Sequence, residues 1–364
     1  QGFTAVQFKD GGLSPDDTGS VSISKEMAKS GTGALAYSYK VEPGAVRALL
    51  AEAHIPAGTR AVRFWVRSST PTVLMLSLRA GAPGYNLPYY VPANEWTQIA
   101  ANLNEFEPEG DAAGAAALKP DEVTSIGVTD MATMLVNAPG DLAKLLPNLQ
   151  GSRTVWLDDL QFSETAVPQT TGSARSGNDG AFVVDNFETP LVRWTPVRAV
   201  FGGAAPQFDL FTPEASVRVV PEAAGPGMAR TPVEPGGKGL RMSYKRHAQE
   251  VFGFIRSLEK YDLSKADRLR LSLNCSQKSL VIVQLKEKDG SEYQHLVMPD
   301  NSVGWQDLNL ALTDFTLSDN GKDENNRLDP DQLKELTILD GSAFAGMGDA
   351  DVTLDLDAVY FVLK

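Results

Sequence analysis

Ser38-Tyr39-Lys40 recurs as Ser243-Tyr244-Lys245, and the residues around each triplet recur in the same order. Trp96 follows Tyr39 and Trp305 follows Tyr244 at spacings of 57 and 61 positions. Each Trp is followed ten positions on by a Phe, Phe106 or Phe315. Lys-Pro-Asp at Pro120 is matched by Asp-Pro-Asp at Pro330, and ten residues later Asp130 matches Asp340. Both halves close on an apolar-acidic run, Val155-Trp-Leu-Asp-Asp-Leu-Gln-Phe162 and Leu354-Asp-Leu-Asp-Ala-Val-Tyr-Phe361. A unit of roughly 180 residues is too long for a solenoid repeat and has the size of a whole domain. The chain therefore reads as a tandem duplication, with a first domain over 1–163, a linker over 164–180 and a second domain over 181–364. The linker is rich in Ser, Thr and Gly and too poor in large apolar residues to order itself.

The apolar pattern within each half has the short period of strands. Ala61-Val-Arg-Phe-Trp-Val-Arg67 and Leu269-Arg-Leu-Ser-Leu273 alternate, while Thr72-Val-Leu-Met-Leu-Ser-Leu78 and Leu280-Val-Ile-Val-Gln-Leu285 are almost continuously apolar. Gly, Pro and Asn-Asp clusters punctuate at hairpin distances. Short helical turns are expected where Pro120 and Pro330 begin acidic stretches, and a short helix over Asp141-Leu-Ala-Lys-Leu-Leu146, a segment that lies outside the residues described below. The expected fold class is all-β: two tandem β-sandwiches.

A net charge of -13 opposes a phosphate backbone or an anionic membrane surface, which argues against nucleic acid as a partner. No run of about 18 apolar residues is present, so membrane insertion is not expected. The single cysteine, Cys275, sits in a strand-like run and reads as a structural thiol. His54, His247 and His295 show no zinc spacing. The start at Gln1-Gly-Phe and the lack of disulfide pairs lead to the expectation of an exported bacterial protein, secreted, periplasmic or on the cell surface.

In the second half, Asp-Asn-Phe-Glu, Gly-Leu-Arg-Met-Ser-Tyr, Asp-Leu-Ser-Lys-Ala-Asp, Leu-Lys-Glu-Lys-Asp-Gly-Ser-Glu-Tyr, Trp-x-x-Leu, Leu-Asp-Pro and a final Leu-Asp strand follow one another. In that order they resemble galactose-binding-like jelly rolls, both bacterial carbohydrate-binding modules and the domain of the complex I intermediate-associated protein. The resemblance covers most of 182–364 and is weaker over 3–163. It implies jelly-roll sandwiches, non-catalytic binding, and a structural calcium held where the first strand meets the last, at Asp185, Glu188 and Asp357. In this alignment Phe3-Thr-Ala-Val-Gln-Phe8 matches the opening of the second half, putting Val6 and Lys9 where Asp185 and Glu188 stand.

Sugar recognition stacks the C–H face of a pyranose on an aromatic ring while planar polar groups meet the hydroxyls. The candidates are Tyr85, Tyr89 and Tyr90 in the first half and Tyr293, His295 and Arg256 in the second. Adjacent residues of a strand point to opposite faces, so Tyr89 and Tyr90 cannot both face the core. Trp96 and Trp305 are assigned to the core. The oxygen-rich segment over 319–329 lacks the central Gly and closing Glu of an EF-hand and reads as a solvated loop. No nucleophile elbow, phosphate loop or dinucleotide fingerprint appears, so an enzyme is not expected. The leading reading is polysaccharide binding. The rival is a structural or assembly protein of the cell surface whose sandwiches bind other protein subunits, with oligomers allowed.

Overall fold

Alternation of large apolar with polar residues sets both faces of each sheet. The computed structural model describes every residue except 1, 10, 82–83, 110–117, 138–149, 168–172, 175–179, 188–192, 201–214, 222–237, 249, 260 and 319–321. Two compact units result, the first comprising Gln1–Gln169 and the second the described residues from Ser173 onward.

The strands of the first unit are β1 (Thr4–Lys9), β2 (Gly12–Pro15), β3 (Ser20–Ser24), β4 (Ala34–Val41), β5 (Val46–Glu52), β6 (Ala61–Ser68), β7 (Thr72–Arg79), β8 (Gly84–Val91), β9 (Thr97–Asn102), β10 (Glu107–Pro108), β11 (Ser125–Asp130) and β12 (Gly151–Ser163). They form two antiparallel sheets, ordered β10-β8-β7-β11-β5-β1-β2 and β3-β4-β12-β6-β9. Inward residues of both sheets, among them Tyr37, Tyr39, Phe64, Leu76, Tyr89 and Val128, make one continuous core. A short helix, α1 (Met131–Leu135), starts at Asp130, whose carboxylate accepts from the Ala132 amide.

The second unit contains β13 (Ser173–Ala174), β14 (Ala181–Asp185), β15 (Thr195–Val200), β16 (Ala215–Pro221), β17 (Lys238–Arg246), β18 (Glu250–Ser257), β19 (Ala266–Cys275), β20 (Val281–Glu287), β21 (Glu292–Val297), β22 (Gln306–Ala311), β23 (Thr316–Leu317), β24 (Leu333–Asp340) and β25 (Ala350–Leu363). Its pairings reproduce those of the first. Leu35 opposite Leu157 becomes Leu240 opposite Leu356. Val128 between Leu49 and Leu76 becomes Ile338 between Phe254 and Val283. Both units are jelly-roll β-sandwiches. The turns at Pro120 and Pro330 are single 3₁₀ turns with proline at their start, as the sequence predicts.

Two sequence expectations are corrected. β1 pairs with β5, as β15 pairs with β18, so β1 is the counterpart of β15 and not of β14. The alignment of Phe3–Phe8 with the Asp185 segment therefore fails: both openings are short apolar strands, and only their pairing, β1 with β5 and β14 with β25, tells them apart. Trp305 is 7% exposed and belongs to the core. Trp96, just before the edge strand β9, is only half-buried. Among the described residues no helix is long and apolar enough to cross a membrane.

Candidate functional site

Most of the tyrosines singled out for stacking are core residues. Tyr85 and Tyr89 share the inward parity of β8 and are 7% and 0% exposed. Tyr293, opposite Leu285, is the counterpart of Tyr85, opposite Leu78, and is 1% exposed. Rings so enclosed present no face to a sugar. Tyr90 points to the other side of the sheet and is half-buried there. His295 is half-buried against Phe315, with Nδ1 3.2 Å from the Asp314 carbonyl oxygen. Arg256 is 2% exposed and donates to the Arg193 carbonyl and to the Tyr261 hydroxyl, so its fork is spent inside the unit.

The calcium expectation meets a similar obstacle. Asp185 is 2% exposed and accepts from the Phe187 amide and the Trp194 indole. Burial pushes its carboxyl up to about 6, against the lowering effect of the nearby Arg256 and Arg193 charges. A carboxyl already facing two guanidiniums is a poor cation ligand. Asp357 is buried on β25 and accepts from its neighbour's amide, Ala358. Glu188 lies outside the described residues.

A different acidic group could hold a metal ion. Oxygens of Glu287, Asp289 and Asp323 all lie within 4.8 Å of one another. Glu287 ends β20 and is 3% exposed; one of its oxygens accepts from the Asp329 amide. The other accepts no hydrogen bond among the described residues. Burial raises the Glu287 carboxyl to about 7, with Asp323, Asp289 and Asp329 adding repulsion. The Tyr293 hydroxyl donates to Asp323, and that bond holds the aspartate below its usual range. Asp323 comes from the segment that the sequence marked as a solvated loop. Its partners in β20 and the following turn are about 35 residues away in sequence, which is why spacing alone could not find them.

The feature that sequence reasoning missed is on the outer face of the first unit's β4-β12-β6-β9 layer. Trp156 of β12 stands opposite Arg67 of β6, and Trp65 of β6 stands opposite Asp158. The two indoles are thus diagonal neighbours on adjacent strands, roughly 7–8 Å apart in a regular sheet. Both are half-buried, as are Arg63 and Arg67 on the same face. The Lys29 ammonium sits 4.1 Å from the centre of the Trp65 ring. Arg63 and Arg67 form no ion pair among the described residues, in a chain of net charge -13. The signal was legible: in Arg63-Phe-Trp-Val-Arg67, Trp65 shares the parity of the two arginines, and in Val155-Trp-Leu-Asp, Trp156 shares that of Asp158.

The same face of the second unit is closed by its own polar pairs. Ser272 and Asp355 occupy the positions of Trp65 and Trp156. Asp355 takes both prongs of Arg241 at 2.7 and 2.9 Å and a third bond from Asn274. Ser272 donates to Asp307, and Arg268 to Asn309. Arg270 lies over the Tyr360 ring. Cys275, 1% exposed, has its thiol pushed up to about 12 by burial and is a structural residue, as expected.

No protein-family model matches the chain, and no curated protein matches it. Solved structures do. The family 11 carbohydrate-binding module of a cellulosomal cellulase of Clostridium thermocellum is 16% identical, with a TM-score of 0.37, over 52% of this chain and 97% of that one. A tandem of two family 22 carbohydrate-binding modules from Paenibacillus barcinonensis is 11% identical, with a TM-score of 0.31, over 100% of this chain and 93% of that one. The family 30 module of another Clostridium thermocellum cellulase is 12% identical, with a TM-score of 0.27, over 47% and 94%. Identities this low speak to fold alone, and superpositions this loose carry no argument about ligand or family. The jelly-roll architecture rests on the strand pairing described above.

Proposed function

We propose that this protein is a non-catalytic carbohydrate-binding protein whose ligand lies on the outer face of β12 and β6 in the first unit. The observation that carries the reading is the pair of half-exposed indoles, Trp65 and Trp156, framed by Arg63 and Arg67. Indole faces supply stacking surface for pyranose C–H groups, and guanidinium forks supply donors for hydroxyls or carboxylates. Lys29 covers one face of Trp65, which leaves Trp156 as the main platform. Tyr90, on the other sheet, is a secondary candidate. The second unit's corresponding face is spent on internal pairs, so one binding face per chain is expected and not two. A polysaccharide panel with Trp156→Ala as the control tests the reading; an unchanged affinity in that variant contradicts it.

The Glu287, Asp289 and Asp323 group is the proposed seat of a structural calcium in the second unit. Hard carboxylate oxygens suit calcium, and a cation there would relieve the repulsion that raises Glu287.

A second reading, binding to other protein subunits, has its own support. Leu296, Met298 and Phe344 of the second unit are 55%, 59% and 59% exposed. Exposed apolar side chains of this size favour protein contacts over sugar contacts.

A further inference from the structure

We infer that the indole face of the first unit takes a polysaccharide whose sugars carry carboxylates, a polyuronate, in preference to a neutral glycan. The inference rests on the reading of that face as a carbohydrate site and names the class of sugar it takes.

Along β6 the outward residues are Arg63, Trp65 and Arg67, so a cation stands on each side of an indole. Successive outward positions of a strand are roughly 6.6 Å apart, which sets the two arginines roughly 13 Å apart with Trp65 midway. On β12, Trp156 stands opposite Arg67 and Gln161 opposite Arg63. On β9, Ala100 stands opposite Arg63 and Gln98 opposite Trp65. None of these cross-strand neighbours brings a negative charge, and an indole offers a donor but no acceptor.

The carboxylate opposite Trp65, Asp158, is diagonal to both arginines but is turned to the backbone. Its Oδ2 accepts from the amides of Lys29 and Ser30 at 2.8 and 3.0 Å, and its Oδ1 from the Asp159 amide at 2.9 Å. Asp159 in turn accepts from the Ser30 hydroxyl at 2.7 Å. The turn held in this way lays the Lys29 ammonium over Trp65 and adds a third cation to the face. The Nε atoms of Arg63 and Arg67 are shielded from solvent and have no hydrogen-bond partner among the described residues.

The second unit shows the neutralised alternative. Asn274 and Asp355 occupy the places of Arg67 and Trp156, and Asn274 donates to Asp355. Arg241, in the place of Ala36, completes that carboxylate. In the first unit the carboxylate is an indole and the amide a guanidinium, in a chain of net charge -13 that has acids to spare.

A half-buried guanidinium has lost part of its hydration, so an acceptor that reaches it gains more than it would in open water. A carboxylate matches the planar fork with two parallel bonds. A pyranose lying with its C–H face on an indole extends its equatorial substituents in the plane of the ring, across the neighbouring residues. A C5 carboxylate on a sugar stacked over Trp156 therefore points along the sheet surface, where Arg67 is the cross-strand neighbour. Arg63, farther along β6, is placed for a carboxylate on another sugar of the same chain. A neutral glycan leaves both forks without a charged acceptor, and a sulfate ester carries its charge on a rotatable arm with no fixed plane.

The test is isothermal titration of the full chain with polygalacturonate and alginate, each beside its methyl ester, which keeps the sugars and removes the charge, and with dextran sulfate. At least one of the two acids should bind about tenfold or more tighter than its ester and than dextran sulfate. That preference should narrow between about 50 mM and about 500 mM salt. Arg67→Gln should weaken binding of the acid about tenfold and leave the ester unchanged, whereas Trp156→Ala should weaken both. Should Arg67→Gln fail to fold, the side-chain Nε–H resonances of Arg63 and Arg67 in the unaltered chain give a second reading, and both should shift when an oligogalacturonate or oligoalginate is added. Esters or dextran sulfate bound as tightly as the acids, an Arg67→Gln variant with full affinity, or unmoved arginine resonances would each overturn the inference and leave the carbohydrate reading standing. No binding to any polymer, charged or neutral, would overturn both.

Discussion

Tyr39 donates a 2.6 Å hydrogen bond to the buried carboxylate of Asp130, and the bond is reproduced in the second unit between Tyr244 and Asp340. It spans the sandwich from one sheet to the other and explains why the Ser-Tyr-Lys triplet and the later aspartate recur together. Each carboxylate is completed by an arginine, but from a different strand. Arg153, opposite Tyr39 on β12, reaches Asp130 at 3.0 Å; Arg246, two residues beyond Tyr244 on β17, lies 3.6 Å from Asp340. The counterpart of Arg153 is Val352, and the counterpart of Arg246 is Val41. The two units have exchanged a valine and an arginine between neighbouring strands while keeping the charge pair.

That exchange makes a prediction about coupling. Arg153→Val leaves Asp130 buried without its cation and should cost about 3–5 kcal/mol in stability. Adding Val41→Arg to Arg153→Val should restore at least half of the loss. Urea unfolding of the single and double variants measures it, and additive effects would show that the arginines are not interchangeable.

Two raised carboxyls predict an acid-side gain in stability for the second unit. Asp185 moves from 3.8 to about 6 and Glu287 from 4.5 to about 7, so the folded chain holds both protons where the unfolded chain has lost them. Stability from these groups therefore falls as pH rises through the interval from 3.8 to about 7, and is flat above it. Glu287→Gln should remove the upper part of that slope in denaturant midpoints measured across pH.

The same cluster predicts a pH-dependent response to calcium. At pH 8, added calcium should raise the melting temperature of the second unit, because metal binding requires ionised oxygens. At pH 5 the shift should be much smaller, and Glu287→Gln should abolish it at both values. A shift that survives Glu287→Gln would place the ion elsewhere.

Gly253 tests the packing of β18 on β24. A Cβ there would collide with the Ile338 carbonyl oxygen and lie 2.6 Å from the Leu339 side chain. Gly253→Ala should therefore destabilise the second unit by about 1–3 kcal/mol, read from its unfolding midpoint.

The repeat and the all-β class were legible because they depend on local period and on order along the chain. Strand partners were not. Nothing local distinguishes Phe3–Phe8 pairing with β5 from Phe182 pairing with β25, since both are short apolar strands. Tyr85 and Tyr293 looked like binding residues because tyrosine is at home on either face, and only the register puts both inside. Asp323 was read as solvated because its partners Glu287 and Asp289 come from a distant hairpin. Trp65 and Trp156 are legible by parity alone, since each shares a strand face with charged neighbours.

The central claim is that the indole face of β12 and β6 binds carbohydrate. It is tested most directly by isothermal titration of the full chain against a panel of soluble neutral and acidic polysaccharides, with Trp65→Ala and Trp156→Ala alongside. Saturable binding to at least one polymer is expected, weakened about tenfold or more by Trp156→Ala with melting temperature unchanged, and less by Trp65→Ala; a tenfold loss corresponds to about 1.4 kcal/mol. Absence of binding across the panel, or binding that Trp156→Ala retains in full, would contradict it.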